Sequence, residues 1–357
     1  MNKERYIGVM SGTSLDGVDV VLCEVDVDDC QLLASFEYPM PLSLKEDILK
    51  IIQHKNYLEE IGRIDHRLGK LFAKAIESFI EDENIDTSNI VAIGLHGQTL
   101  WHQPEEKHGF SMQLGDPNIV TTQINIPVVA DFRRKDVALG GQGAPFAPAF
   151  HAFLFGQKEK SVGIVNIGGM ANITILDTPL IGYDTGCGNV LLDMWIAKHH
   201  NLSYDKEGLW AKSGTVDEIL LENMLKDSYF KQAYPKSTGR ETFNEAWLYS
   251  YIKEKTYKPE DVQRTLLELT ARSISQELLP FNREKILLCG GGAKNSFLVE
   301  RIKAHMPNTE VLIAQNADMI EAMTFAWLAY KRIHKENVAL KEVTGASKNA
   351  LLGAVYA

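Results

Sequence analysis

Apolar and polar positions alternate along residues 5–9 and 17–25, where Val18, Val20 and Leu22 share one face, so both stretches read as strands. Between them lies Met10-Ser11-Gly12-Thr13-Ser14-Leu15-Asp16-Gly17, a turn rich in glycine and hydroxyl groups. The period then changes. Over 57–80, Leu58, Ile61, Leu68, Leu71, Phe72, Ala75, Ile76 and Phe79 recur mostly at three- and four-residue steps, which predicts an amphipathic helix. Strand patterns return at 90–95, running into His96-Gly97-Gln98-Thr99, and near 126–130, entering Asp131-Phe132-Arg133-Arg134-Lys135-Asp136. Gly140-Gly141-Gln142-Gly143-Ala144-Pro145 fits neither period and marks the expected crossing between domains. A second hairpin is predicted at 162–176, and a buried strand at 285–289 ends in Gly290-Gly291-Gly292. Apolar helices are expected from about 190 and about 318.

These elements alternate as an α/β chain does. They also repeat. Aligning Ile7-Gly8-Val9-Met10 with Gly163-Ile164-Val165-Asn166 sets two strand–glycine turn–strand units about 155 residues apart. Each is followed by a further strand that ends in glycine, at 90–95 and at 285–289. The same order in both halves implies two lobes of one topology. At 357 residues the chain has the length for two domains.

Charge narrows the partners. The net charge of −10 disfavours broad nucleic-acid binding, which depends on clustered Lys and Arg. No apolar run approaches the ~18–20 residues that span a bilayer, and MNKERYIGVMSG lacks a secretory apolar core, so no membrane and no signal peptide are expected. Cys23, Cys30, Cys187 and Cys289 form no C-x-x-C pair and read as small buried hydrophobes in a reducing cytoplasm. The histidines, with His96 and His102 apart and His199-His200 adjacent, lack a zinc-like set of partners.

Several segments can carry chemistry. Glycine in the Ser11–Asp19 hairpin lets backbone N–H groups approach a polyanion, with Thr13 and Ser14 as further donors; Asp16 and Asp19 suit such a site only if Mg²⁺ lies between. A tight self-capping turn explains the same residues. The second hairpin turn, Asn166-Ile167-Gly168-Gly169-Met170-Ala171-Asn172, pairs with the first and strengthens the phosphate reading; no G-x-x-x-x-G-K-[ST] loop occurs. Asp184-Thr185-Gly186 precedes an apolar helix, so Asp184 is either a general base beside free helix N–H groups or a turn-stabilising carboxylate. Gly290-Gly291-Gly292 leaves room for a flat ring such as adenine, or is a flexible strand–helix loop, and Asp318 or Glu321 is a candidate neighbour. Arg133-Arg134-Lys135 and Lys236-Ser237-Thr238-Gly239-Arg240 are basic loops suited to an anionic substrate group or to solvent.

Taken together, Gly8-Val9-Met10-Ser11-Gly12-Thr13-Ser14-Leu15-Asp16-Gly17-Val18-Asp19 resembles the N-terminal signature of the anhydro-N-acetylmuramic acid kinases. The resemblance continues through His96-Gly97-Gln98-Thr99, Asp131-Phe132-Arg133, Gly140–Pro145, Asn166–Gly169, Asp184–Gly186, Lys236–Glu241, Cys289–Gly292, Glu321-Ala322-Met323 and Thr344-Gly345-Ala346, and so spans the chain. It implies the actin-like ATPase (ribonuclease H-like) fold, with two related lobes around a nucleotide cleft. The lobes are expected at 1–132 and 133–336, with a C-terminal helix near 337–357 packing back onto the first.

The resemblance also implies ATP with Mg²⁺ as cofactors and a small sugar as substrate, in cell-wall recycling. It leaves a homodimer open. It assigns Asp184 as catalytic base. Gly12, Thr13, Ser14, Leu15, Asp16, Gly17, Val18, Asp19, Gly168, Gly169, Gly290, Gly291 and Gly292 would meet the nucleotide, with Asp16 at Mg²⁺. Arg133, His96, Gln98, Lys236 and Arg240 would meet the sugar. Cys187 stands where the family has Pro and Tyr183 where it has Phe, both flanking Asp184. A kinase for another anhydrosugar such as levoglucosan, or a non-catalytic ATP-dependent sugar sensor, are the competing readings.

Overall fold

A computed structural model describes residues 3–12, 15–52, 58–104, 107–156, 161–177, 179–253 and 255–357. The chain forms two compact units, residues 1–155 with 319–357, and residues 156–318. In the first unit the strands are β1 (Glu4–Ser11), β2 (Gly17–Val25), β3 (Cys30–Pro39), β4 (Ile90–Gln103), β5 (Phe110–Leu114) and β6 (Val128–Ala130). The second unit holds β7 (Val162–Ile167), β8 (Met170–Ile175), β9 (Ile181–Cys187), β10 (Lys285–Cys289) and β11 (Glu310–Ile313). A last strand, β12 (Ala354–Tyr356), returns to the first unit.

The first sheet runs β12-β6-β4-β1-β2-β3, with β5 on β4; the second runs β11-β10-β7-β8-β9. In both, the first three strands form an antiparallel meander and the fourth lies parallel to the first; β6 is then parallel to β4 in the first sheet, where β5 is an added antiparallel strand, as β11 is parallel to β10 in the second. The repeat read from the sequence is therefore a repeat of topology, and each unit is ribonuclease H-like. The expected hairpins form with Ile7 opposite Leu22 and Asn166 opposite Asn172.

The helix expected over 57–80 spans Leu58–Asp82 and buries Leu68, Phe72, Ala75, Ile76 and Phe79 against the first sheet, in a core with Ile7, Val9, Val20 and Leu22. Side chains alternate across a strand, so Gly8 faces the other way. Gly8 and Gly94 are neighbours on β1 and β4. A Cβ on Gly8 would lie 2.1 Å from the carbonyl oxygen of Ala322, and one on Gly94 1.9 Å from that of Phe325. The helix Ile320–Ile333 thus rests directly on strand backbone. This contact explains Gly8 as a packing residue, and it draws 319–336 into the first unit.

Residues 133–155, expected in the second lobe, also fall in the first unit, so the chain crosses after Phe155 and returns at Met319. The segment 337–357 does join the first unit, though not as a helix. It contributes a short helical turn, Lys341–Thr344, and then β12, which pairs antiparallel with β6. His96-Gly97-Gln98-Thr99 is not the turn that the sequence predicts: β4 continues through it to Gln103. Gly97, at φ +78°, lies where the β1–β4 register shifts. In the second unit the buried helix Pro259–Leu278 packs on β8 and β9. No helix among the described residues is long and apolar enough to cross a membrane.

Candidate active site

Asp184 lies on β9 and is 8 % exposed. Hydrogen bonds to residues 229–238 help to fix it. Its Oδ2 accepts from the Thr238 N–H at 2.9 Å, its own N–H donates to the Lys236 carbonyl at 3.2 Å, and its carbonyl accepts from the Tyr229 hydroxyl at 2.8 Å. The basic loop singled out in the sequence is therefore laced to the candidate base. Asn172 pairs with Asp184 across β8 and β9, so their side chains share a sheet face. Asn172 Oδ1 and Thr238 Oγ1 are buried with no hydrogen-bond partner among the described residues.

The helix beyond this strand, Val190–His200, starts as expected. Its first amides are not free, however. Gly188 and Val190 donate to the Gly169 carbonyl and Asn189 to that of Gly168, at 2.9–3.1 Å. A Cβ on Gly188 would lie 2.4 Å from the Gly168 oxygen. The Gly168-Gly169 turn and the Asp184–Asn189 segment are thus one bonded body, which takes up the cap amide and the first amide of this helix.

Cys187 is buried, and that burial pushes its thiol up to about 12, so it acts as an inert apolar side chain. Tyr183 donates to Glu277 Oε2 at 2.9 Å and stacks on Tyr234 with centroids 5.0 Å apart. Burial, then the Glu277 charge, raise its hydroxyl far above the ordinary tyrosine range.

Lys236 does not take the substrate-facing role that the resemblance implies. Its side chain is 2 % exposed and its Nζ meets Glu277 Oε1 at 2.7 Å. The ammonium also lies 5.0 Å and 5.8 Å from the ring centres of Tyr229 and Tyr183. Arg240, half-buried in the same loop, accepts through its carbonyl from Asn244 Nδ2 at 3.1 Å, next to the helix Glu245–Ile252.

Of the three glycines after β10, two serve packing. A Cβ on Gly290 would lie 2.5 Å from Asn166 Oδ1, and one on Gly292 2.3 Å from Ile167; only Gly291 has open space beside it. Asp318, an expected neighbour, pairs with Lys294 at 2.9 Å.

In the first unit, Ser11 Oγ donates to Gln98 Oε1 at 2.7 Å, and Gln98 Nε2 to the Gly12 carbonyl at 3.3 Å. Both side chains are buried, so Gln98 braces the start of the β1–β2 turn instead of facing a sugar. Thr13 and Ser14 lie outside the described residues. Leu15 and Val18 belong to the apolar core, which leaves only their backbone for a ligand. A Cβ on Gly17 would press on the Tyr38 carbonyl at 2.8 Å.

The carboxylate of Asp16, the expected Mg²⁺ ligand, is exposed and meets Lys45 Nζ at 2.9 Å, a surface pair that a metal ion would have to displace. Among the described residues no group of three His, Cys, Asp or Glu side chains could hold a metal ion. Asp19 sits on β2 opposite Met10.

Arg133 and His96, far apart in sequence, come together. Arg133 Nε donates to His96 Nε2 at 3.0 Å, which requires a neutral imidazole with its proton on Nδ1. Burial, then the Arg133 charge, hold His96 well below the usual histidine range, in agreement. The same guanidinium donates to the Gly143 carbonyl at 2.9 Å and covers the Phe146 ring.

Asp136 is a residue that sequence reasoning missed. It accepts from the Gly143 N–H at 2.8 Å and from the Thr344 hydroxyl at 2.9 Å, which ties the glycine loop to the C-terminal segment. Glu277, Tyr229 and the unpartnered Asn172 oxygen were also missed. Only Asn172, a polar residue inside an apolar strand pattern, carries a local signal.

The profile of the anhydro-N-acetylmuramic acid kinases matches residues 4–357. Among the proteins the chain is similar to are three described as anhydro-N-acetylmuramic acid kinases. That of Sulfurovum sp. (strain NBC37-1) is 63 % identical over 358 residues, covering 100 % of both chains. Those of Aliivibrio fischeri and Sulfurimonas denitrificans are 51 % and 50 % identical, covering 99 % of both chains in each pair. The chain belongs to the anhydro-N-acetylmuramic acid kinase family.

Proposed function

We propose that this chain is an ATP-dependent kinase. It opens the 1,6-anhydro bridge of 1,6-anhydro-N-acetylmuramic acid with water and phosphorylates the freed O6, giving N-acetylmuramate 6-phosphate and ADP. The observation that carries the reading within the family is Asp184, whose buried carboxylate accepts from the Thr238 N–H and whose main chain is bonded to Lys236 and Tyr229.

Asp184 takes a proton from water as the water oxygen bonds to the anomeric carbon. The C1–O6 bond breaks, O6 attacks the γ-phosphorus, and the bond from that phosphorus to the β–γ bridging oxygen breaks to release ADP. A water aligned for this attack needs an acceptor for its second hydrogen. Asn172 Oδ1 and Thr238 Oγ1 are the buried oxygens beside Asp184 that offer one.

Arg133, oriented by neutral His96 and the Gly143 carbonyl, and Arg240 are the cations assigned to the sugar and its lactyl carboxylate. Backbone amides at Gly12, Asp16 and Gly169 serve the nucleotide's phosphates, those of Leu15 and Gly168 being taken by the Gly12 and Met170 carbonyls, and the open side of Gly291 serves the adenine. Mg²⁺ would offset the charge of the phosphates, and Asp16 would reach it only by leaving Lys45. Dependence on ATP suits a cytoplasmic step in recycling cell-wall sugars.

The test is ADP release with 1,6-anhydro-N-acetylmuramic acid and with levoglucosan, the product being weighed by mass spectrometry. The expected product exceeds the first sugar by one water and one phosphoryl group. Turnover confined to levoglucosan, or a product that keeps its anhydro bridge, overturns the reading.

A further inference from the structure

We propose that the ion pair between buried Lys236 and half-buried Glu277 is a positioning device that sets the orientation of Asp184; the inference rests on Asp184 being the base. Lys236 reaches Asp184 through its main chain, whose carbonyl accepts the Asp184 N–H. Two residues on, the Thr238 N–H holds Asp184 Oδ2. The segment 236–238 therefore grips both the backbone and the carboxylate of the base.

What fixes that segment is the Lys236 side chain. Its Nζ contacts Glu277 Oε1 at 2.7 Å, with the side chain 2 % exposed. Glu277 projects from the rigid helix Pro259–Leu278, and its other oxygen accepts from Tyr183, the residue before Asp184. Tyr229 closes the box: its ring faces the ammonium and its hydroxyl bonds the Asp184 carbonyl. One carboxylate thus anchors the chain on both sides of the base, through Tyr183 and through Lys236.

A buried cation is retained only when its partner stays in place, so loss of either charge frees the loop that carries the Thr238 amide. A misplacement of about 1 Å in a reacting group costs on the order of a hundredfold in rate. Neither Lys236 nor Glu277 is assigned to the sugar or the nucleotide, and Arg240, further along the loop, is held separately by the bond from Asn244 to its carbonyl, so the loss falls on turnover more than on binding.

The experiment compares Glu277→Gln, Lys236→Met, Asp184→Asn and the double variant Asp184→Asn/Glu277→Gln by steady-state kinetics, with thermal unfolding recorded for each. The nearly isosteric Glu277→Gln variant keeps the test valid if Lys236→Met does not fold. The expected result is a kcat lower by roughly 10- to 100-fold in Glu277→Gln, with KM for sugar and ATP within about twofold of wild type. In the Asp184→Asn background, Glu277→Gln is expected to lower the residual rate no further. Wild-type kcat in Glu277→Gln overturns the proposal, as does a rise in sugar KM alone in Lys236→Met, which makes Lys236 a substrate ligand. Near-normal turnover in Asp184→Asn instead defeats the assignment of the base, whatever Glu277→Gln does.

Discussion

The two sheets share one strand order, yet the polar residues around them are held by different means. In the first unit the fastenings of buried Gln98, His96 and Asp136 have at most one charged partner each: Ser11 to Gln98, Gln98 to the Gly12 carbonyl, neutral His96 to Arg133, and Asp136 to the Gly143 N–H and the Thr344 hydroxyl. In the second, buried charges do the fastening. Lys236 pairs with Glu277, and Glu268, itself 1 % exposed, contacts Arg264, Arg301 and His305 at 2.5–3.2 Å. A repeated topology therefore fixes where a polar residue lies in the sheet, and leaves open the chemistry that holds it.

The largest effect that separates the units is expected at Glu268. Burial alone would raise its carboxyl, but the bonds from Arg301 and His305 and the charges of Arg301 and Arg264 outweigh it and lower the group to about 2. A depressed folded-state pKa contributes stability above the ordinary value near 4.5 that is lost as pH falls toward 2. Glu268→Gln strands the surrounding cations and is expected to cost about 3–5 kcal/mol at neutral pH. It should also flatten the fall in stability between pH 4.5 and 2, measured by urea unfolding. An unchanged acid limb would remove the buried-charge side of the comparison.

The corresponding weak point of the first unit is steric. Gly94→Ala sets a Cβ against the Phe325 carbonyl and is expected to cost about 3 kcal/mol or more, read as a lower Tm. A smaller effect is expected for Ser11→Ala, which leaves the buried Gln98 oxygen without its hydroxyl partner. About 1–3 kcal/mol should be lost, and KM for ATP should rise if the β1–β2 turn meets the phosphates. The smallest effect belongs to Gly291→Ala. Nothing lies within 4 Å of its added methyl, so stability should stay within about 0.5 kcal/mol while KM for ATP rises. Unchanged KM there would move the adenine elsewhere.

Much of this fold was legible because it is local. Alternation at Val18, Val20 and Leu22 and the helical spacing from Leu58 to Phe79 each report one element's buried face, and both elements form. The glycines were legible as necessary but not in their purpose. Gly8, read as part of the family's N-terminal signature, makes room for a helix more than 300 residues later in the chain, and Gly290 and Gly292 make room for β7.

What the sequence concealed is long-range. Glu277 meets Tyr183 across 94 positions, and Thr344 meets Asp136 across 208, with no periodicity to announce either. β12 escaped because three residues are too few to show a strand pattern. The same reason explains Lys236: a lysine in a polar loop reads as exposed until its distant carboxylate is known.

The central claim is that Asp184 is the base, and the most direct measurement is ADP release by Asp184→Asn on 1,6-anhydro-N-acetylmuramic acid, beside calorimetric binding of ATP and sugar. Turnover is expected to fall by roughly 10²- to 10⁴-fold, with both ligands still bound and the fold intact. Turnover within tenfold of wild type would contradict the account.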